Sequence, residues 1–469
     1  MSALKSSLAL FALFAASCTS TLSQPRAVSE TTFDATPILV RGVSIVHPSK
    51  GTVDAPSDIL IDGGKIIEIA PGGTLLAPSR AMTIDGSGKF ALPGLIDVHA
   101  HVGEGGAMPN TDASRARALN QFLRYGVTTV FVPGATGAGD ADWPQLRQRC
   151  TSGELSCPDL FGTGSLITAP GSHPVSTIFG MPDDVPAATT ESRGVTLLRP
   201  GTDVAKLVRN KKAAGATAIK IVIEDGPPPW YPKPRLSDDD IDRIVSAAHA
   251  ESMPVFAHVS SVDQVRIALE AGVDGIMHGP TDLLPPELTR KMAERGMWYV
   301  PTFSLYDGIL TWALKQKEAD PYALKGVAPE VIDSLALSEF LAEAAEDEAG
   351  ARTYLTNALE NLKRVSGAGV PIALGSDVNN PFVYPGYSAH EELTFMVRAG
   401  LTPAQALSAA TAGGAAFLQL SRQLGRIEVG FEADLLLLDR NPLERIQNSR
   451  TIAAVITNGK VVPRVVSVE

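Results

Sequence analysis

The sequence predicts an α/β fold: a (β/α)8 TIM barrel carrying a small β-sandwich domain built from both chain ends. Two observations lead there. Through the middle of the chain, short apolar runs alternate eight times with amphipathic, helix-like stretches, the pattern of parallel strands joined by crossover helices. Before and after that region stand strand-like segments punctuated by Gly-Gly and Asn-Gly turns, so two separated β segments flank one long insertion. With 469 residues, 44% of them hydrophobic and 19% charged, the chain has material for a large core and more than one module.

In order, the chain opens with "MSALKSSLALFALFAASC". Lys5 precedes an apolar run, Leu8 to Ala16, that is too short to span a bilayer and ends in small residues. Residues 1–18 are therefore expected to be an export signal. The segment resembles a bacterial lipoprotein signal, which implies lipidation of Cys18, a periplasmic location and membrane attachment through that lipid. An ordinary signal cleaved near Ala16 is the alternative. Residues 19–37 are polar and unpatterned, as a tether is.

Residues 38–92 and 426–469 are expected to form the β domain, from "ILVRGVSIV" and "DILIDGGKIIEIA" at one end and "EADLLLLD" and "IAAVITNGKVV" at the other. The barrel would run from 93 to 425. Its strands are expected at 94–101, 127–134, 159–168, 218–223, 254–259, 274–279, 298–303 and 371–377. Helix-like stretches such as "SDDDIDRIVSAAHAESM" and "TPAQALSAATAGGAAFLQL" each begin with Ser or Thr placed to cap a helix. The unit after 303 is oversized and helical in texture. Its extra helices belong either over the active-site face or on the outer wall. Cys150 and Cys157, in "CTSGELSC", are expected to form a disulfide in an exported protein, and four ligands for a zinc knuckle are not at hand.

Barrel sites form at the C-terminal ends of strands. There the sequence places His99 and His101, Lys220, His258, His278 and Asp377. In a strand, residues two apart share a face, so His99 and His101 both point inward. An isolated H-x-H pair is as compatible with two core histidines as with a metal site. Four further candidates at the same level of the barrel decide for metal.

"LPGLIDVHAH", "AIKIVIEDG", "VFAHV", "GIMHG", "ALGSD" and "GFEADLLLLDRNP" together resemble the metal-dependent amidohydrolase superfamily, in its imidazolonepropionase-like and Xaa-Pro dipeptidase-like branch, across about residues 38–462. The resemblance implies two divalent ions, zinc being suited to the histidine-rich set. His99, His101 and Asp377 would hold one and His258 and His278 the other, with Lys220, carboxylated by CO2 to a carbamate, bridging both. It also implies a metal-bridged hydroxide attacking an amide carbonyl, with Asp377 as general base and then general acid. A carbamate is anionic and offers two oxygens, whereas an ammonium beside divalent cations would be repelled.

His173, in "TAPGSHPVST", is a candidate for holding the carbonyl oxygen. Tyr231, in "EDGPPPWYPKPRLS", is a candidate substrate contact. His390 is expected to be structural, and His249 and His47 lie away from the site. "GSGK" at 86–89 lacks the rest of a phosphate loop and reads as a turn.

The function expected is hydrolysis of amide C–N bonds in small substrates such as N-acyl amino acids or dipeptides. A lactonase or phosphoester hydrolase on the same residues, a mononuclear ring deaminase and a non-catalytic binding lipoprotein are the alternatives. A formal net charge of −11 with no basic stripe excludes nucleic acid as a partner. Oligomeric state, including a homo-oligomer, stays open.

Overall fold

The computed structural model of the protein describes residues 36–102, 111–134, 140, 142–225, 232–314, 348–378, 380 and 382–463. The signal, Cys18, Tyr231 and nearly all of the tether lie outside the described residues, as does 315–347 of the oversized unit.

Strands β1 (Ile38–His47), β2 (Thr52–Val53), β3 (Ser57–Asp62), β4 (Lys65–Pro71), β5 (Met82–Asp85) and β6 (Phe90–Pro93) come from the first part of the chain. They share a nine-stranded sheet with three strands from the other end, β16 (Leu435–Leu438), β17 (Ile452–Thr457) and β18 (Lys460–Val461). The two ends meet where β16 runs antiparallel to β6, with Leu435 opposite Pro93 and Leu438 opposite Phe90. All four leucines of β16 are buried. Because side chains alternate across a strand, Leu435 and Leu437 join the sheet's own core with Val40, Ile59 and Ile456. Leu436 and Leu438 join the larger core of the chain. Each such leucine contributes about 2 kcal/mol by burial, so this one strand belongs to both cores. The "GSGK" segment is the turn into β6: Ser87 N–H is held by Asp85 Oδ1 at 2.9 Å, and Gly88 has φ 72°.

The middle of the chain alternates as expected. Strands β7 (Leu95–Asp97), β8 (Val127–Val132) and β9 (Asp159–Gly162) form a three-stranded parallel sheet. Strands β10 (Leu166–Thr168), β11 (Val195–Leu197), β12 (Ile219–Val222), β13 (Val255–His258), β14 (Gly275–Met277) and β15 (Trp298–Val300) form a six-stranded parallel one in the order β11-β10-β12-β13-β14-β15. Helices follow the strands: α1 (Asp112–Arg124), α2 (Trp143–Thr151), α3 (Ala187–Glu191), α4 (Val204–Ala213), α5 (Asp238–Ala250), α6 (Val262–Glu270), α7 (Pro286–Arg295), α8 (Phe303–Ala313), α9 (Glu348–Ala368), α10 (Tyr387–Arg398), α11 (Pro403–Ser408) and α12 (Gly414–Phe417). The expected caps are in place. Ser237 Oγ accepts from Asp240 N–H at the start of α5, and Thr402 with Gln405 makes a capping box at α11. The buried face of α5 is Ile241, Ile244, Val245 and Ala248, the 3.6-residue stripe that turns it toward the strands.

Five expectations about elements need correction. The run 159–168 is two strands, β9 and β10, because Thr163–Ser165 turn the chain from one sheet to the other, with Gly164 at φ 64°. β11 was not anticipated. Strand one stops at Asp97, two residues short of His99. The run 371–377 is not a regular strand, since Asp377 adopts φ 55°. It is nevertheless extended between two neighbours. Tyr299 N–H bonds Pro371 O (2.9 Å) on one side, and on the other Val98 N–H bonds Leu374 O (2.8 Å) and Asp377 N–H bonds His99 O (2.7 Å). Beyond α11 the long helix expected is interrupted by a π turn at Ala409–Gly413. Cys150 and Cys157 form the expected disulfide. Among the described residues, no helix is long and apolar enough to cross a membrane.

Candidate active site

Parallel strands deliver the candidate residues to one level. His258 is the last residue of β13, and His278 follows β14 directly. Lys220 is inside β12, and His99 and His101 lie just past β7. The structure brings five of the six into contact. Nε2 of His99 and Nε2 of His101 both stand 3.2 Å from Oδ1 of Asp377. His278 Nδ1 is 3.6 Å from Oδ2 of the same carboxylate. The His278 ring lies 4.6 Å from that of His99 and 4.4 Å from that of His258. Lys220 is 3% exposed, and its Nζ hydrogen-bonds Met277 Sδ at 3.0 Å. His173, from the loop after β10, reaches the same place and stacks on His258 at 4.7 Å. Of the candidate substrate contacts, only Tyr231 lies outside the described residues.

Burial sets the electrostatics. It pushes His99 and His258 down to about 3, His173 down to about 4 and His278 well below the ordinary histidine range. All four imidazoles are therefore neutral at pH 7 and keep a lone pair. Burial also opposes ionisation of Asp377, yet the surrounding imidazoles outweigh it and hold the carboxyl well below the usual carboxylate range. Lys220 is pushed down to about 7 by burial, with Asp377 opposing the shift. An amine without its proton is the form that adds CO2.

The donor set fits a divalent ion. Ligands held about 2.0 Å from a tetrahedral ion stand about 3.3 Å apart, which is the spacing of His99 and His101 from Asp377. Neutral imidazoles with a carboxylate are the donors zinc prefers.

Three contributors escaped the sequence reading. Asp97 is fully buried and accepts from Ser376 Oγ (2.5 Å), Ser376 N–H (3.1 Å) and His99 N–H (3.1 Å), tying the chain before His99 to the chain before Asp377. It stands two residues before His99, so the alternation that paired the histidines could have found it. Thr302 Oγ1 hydrogen-bonds His278 Nδ1 at 2.9 Å. Glu224, two residues beyond β12, hydrogen-bonds His258 Nε2 through Oε2 at 2.5 Å. Its position at a strand's C-terminal end was the available signal. His278, Thr302 and Asp377 all adopt left-handed backbone, at φ 71°, 48° and 55°. Such conformations cost of order 1–3 kcal/mol each and concentrate where geometry serves chemistry.

The remaining histidines are structural. His390 is buried between Tyr125 O and Ser449 Oγ. His249 pairs with Asp274, and His47 with Asp54. An aromatic pocket lined by Phe256, Trp298 and Phe417 gathers residues that enter the strands, at the end away from the histidines.

Comparison with known proteins adds an independent line. A family profile described as Amidohydrolase family matches residues 90–462. Ochratoxinase of Aspergillus niger is 26% identical over 405 residues, covering 79% of this chain and 75% of that protein. Imidazolonepropionase of Rubrobacter xylanophilus is 25% identical over 448 residues, covering 88% and 92%. Among solved structures, a Xaa-Pro dipeptidase with bound methionine in the active site superposes with a TM-score of 0.71 at 26% identity, covering 91% of this chain and 99% of that one.

Proposed function

The chain belongs to the amidohydrolase family, hydrolases of carbon–nitrogen bonds, and on that premise we propose that it is an exported, binuclear enzyme cleaving amides of small N-acyl amino acids or dipeptides. The observation that carries this reading is the shared Asp377 oxygen 3.2 Å from the Nε2 atoms of two histidines, with three more candidate donors around it. His99, His101 and Asp377 would hold one divalent ion, zinc by donor type, and His258 and His278 the second. Lys220 would bridge them as a carbamate, formed when its neutral Nζ adds CO2 and releases a proton. Bound there, the ions supply Lewis acidity toward a water and the scissile carbonyl. Asp377 Oδ atoms take the proton of the attacking water and return it to the leaving nitrogen. His173 faces the substrate carbonyl oxygen from its place over His258. Thr302 and Asp97 hold His278 and His99 in position.

The two parallel sheets are read as parts of one (β/α)8 barrel. Support comes from the hydrogen bonds of 371–378 to both β15 and residues 98–100, and from Thr217 N–H to Gly162 O (2.8 Å) between the sheets. The nine-stranded sheet is read as the separate β domain, 38–92 with 426–469.

The test is a panel of N-acyl amino acids, dipeptides, lactones and phosphoesters on purified protein, with metal analysis. Amide turnover with near two ions per chain is expected. Turnover confined to lactones or phosphoesters would refute the bond assignment. A ring deaminase has one observation in its favour: Glu224 supplies an acid against His258 that the sequence beside His258 lacks. Ammonia release from a cyclic amidine by protein with a single bound ion would establish that reading instead. Export and lipidation predict that Cys18→Ser releases the protein from membranes, and continued attachment would remove the anchor.

A further inference from the structure

Glu224 is 1% exposed and reaches two histidines at once. Its Oε2 is 2.5 Å from His258 Nε2, and its Oε1, otherwise unpartnered, is 3.8 Å from His173 Nδ1. His173, Glu224 and His258 therefore form a second cluster of metal-type donors beside the first. Distance separates the roles of the two clusters. Ligands on one ion cannot crowd much closer than about 3 Å when each lies about 2.0–2.1 Å from it. His99 and His101 keep 3.2 Å from Asp377, as co-ligands do. Glu224 and His258 at 2.5 Å instead make a charge-assisted hydrogen bond. Nε2 of His258 is thus taken up by the carboxylate, and Nδ1 is the ring nitrogen left for a metal. His278 shows the complementary choice: Nδ1 is engaged by Thr302 Oγ1, which leaves Nε2.

We propose that Glu224 is a positioning residue for the second ion: it fixes His258 as the Nε2–H tautomer, making Nδ1 the metal-binding nitrogen, and is not itself a ligand. This rests on the two-ion reading above. A carboxylate oriented this way also makes the imidazole a stronger donor, and losing such a partner typically costs 10–100-fold in metal affinity.

The experiment strips the full chain with a chelator and titrates it with Co(II), following each ion by its absorption. In parallel, 15N NMR of histidine-labelled, metal-free protein reads the His258 tautomer. Glu224→Ala is expected to weaken one of the two ions about 10–100-fold, leave the other unchanged and lose the single Nε2–H tautomer. Glu224→Gln, whose amide oxygen still accepts, is expected to recover most of both and guards against a folding defect in the alanine variant. Unchanged Co(II) affinity and tautomer in Glu224→Ala overturn the proposal. So does a Gln variant as damaged as Ala, which would make Glu224 a ligand. A wild-type chain that takes up only one Co(II) refutes the two-ion reading itself, whereas two ions with an unaffected alanine variant refute only the role of Glu224.

Discussion

Acid should unfold this protein partly through His390, a residue remote from the chemistry. His390 lies in α10. Its Nε2–H donates to Tyr125 O at 2.8 Å, and its Nδ1 accepts from Ser449 Oγ at 2.9 Å, so one neutral ring joins α10, the end of α1 and the turn at Ile446–Arg450. Burial pushes it down to about 4 against an ordinary value of 6.5, although the Tyr125 carbonyl favours the charged form. The folded value lies below the unfolded one, so between those pH values the unfolded chain binds more protons. The contribution is fully present above about pH 6.5, falls as pH drops, and is gone below about 4. At 1.36 kcal/mol per pH unit the loss is about 3 kcal/mol. His99, His173, His258 and His278 carry acid slopes of the same sign, so the slope of His390 must be read as a difference. Urea unfolding of wild type and His390→Gln from pH 8 to pH 4 isolates it, because the other histidines cancel. The stability gap between the two proteins is expected to shrink by about 3 kcal/mol on acidification. A gap constant across that range would refute the reasoning.

Asp97→Ala leaves three buried donors unpaired, those of Ser376 Oγ, Ser376 N–H and His99 N–H. At about 1–2 kcal/mol each, denaturant unfolding should show a loss of about 3–5 kcal/mol, with Asp97→Asn much milder. Gly375→Ala would set a Cβ 2.5 Å from Val300 Cγ1 and 2.6 Å from His99 Cβ. Metal analysis should then find the site of His99, His101 and Asp377 depleted, and wild-type metal content would contradict that packing. Lys220→Ala should abolish turnover and lower bound metal; normal activity in that variant would rule out the bridge.

Much of the site was legible because period and position carry it. His99 and His101 are two apart just past β7, His258 closes β13 and His278 follows β14, so alternation and strand ends sufficed to align them with Asp377. What was not legible depended on side chains reaching across elements. Glu224 lies two residues beyond β12 but acts on His258 of β13; its place after a strand end marks it as a candidate, and only the contact across strands shows what it touches. The role of Asp97 rests on three donors, two of them from the segment carrying Asp377, which no local pattern brings together. The split of 159–168 into β9 and β10, and the irregular 371–378, escaped for a related reason. Apolar runs report burial, whereas a left-handed residue such as Asp377 is imposed by the neighbours it bonds.

The sequence by itself determined the alternation of strands and helices, the β segments at both chain ends and the residue types offered at the strand ends. These follow from hydrophobic period, turn chemistry and caps, which act over a few residues. Only the tertiary structure decided which nitrogen of each histidine is engaged, which carboxylates hold and which orient, and that Asp377 stands 3.2 Å from two imidazoles at once. Those are distances between atoms far apart in the chain, set by how parallel strands stack their ends and by burial that lowers the pKa of His99, His173, His258 and His278.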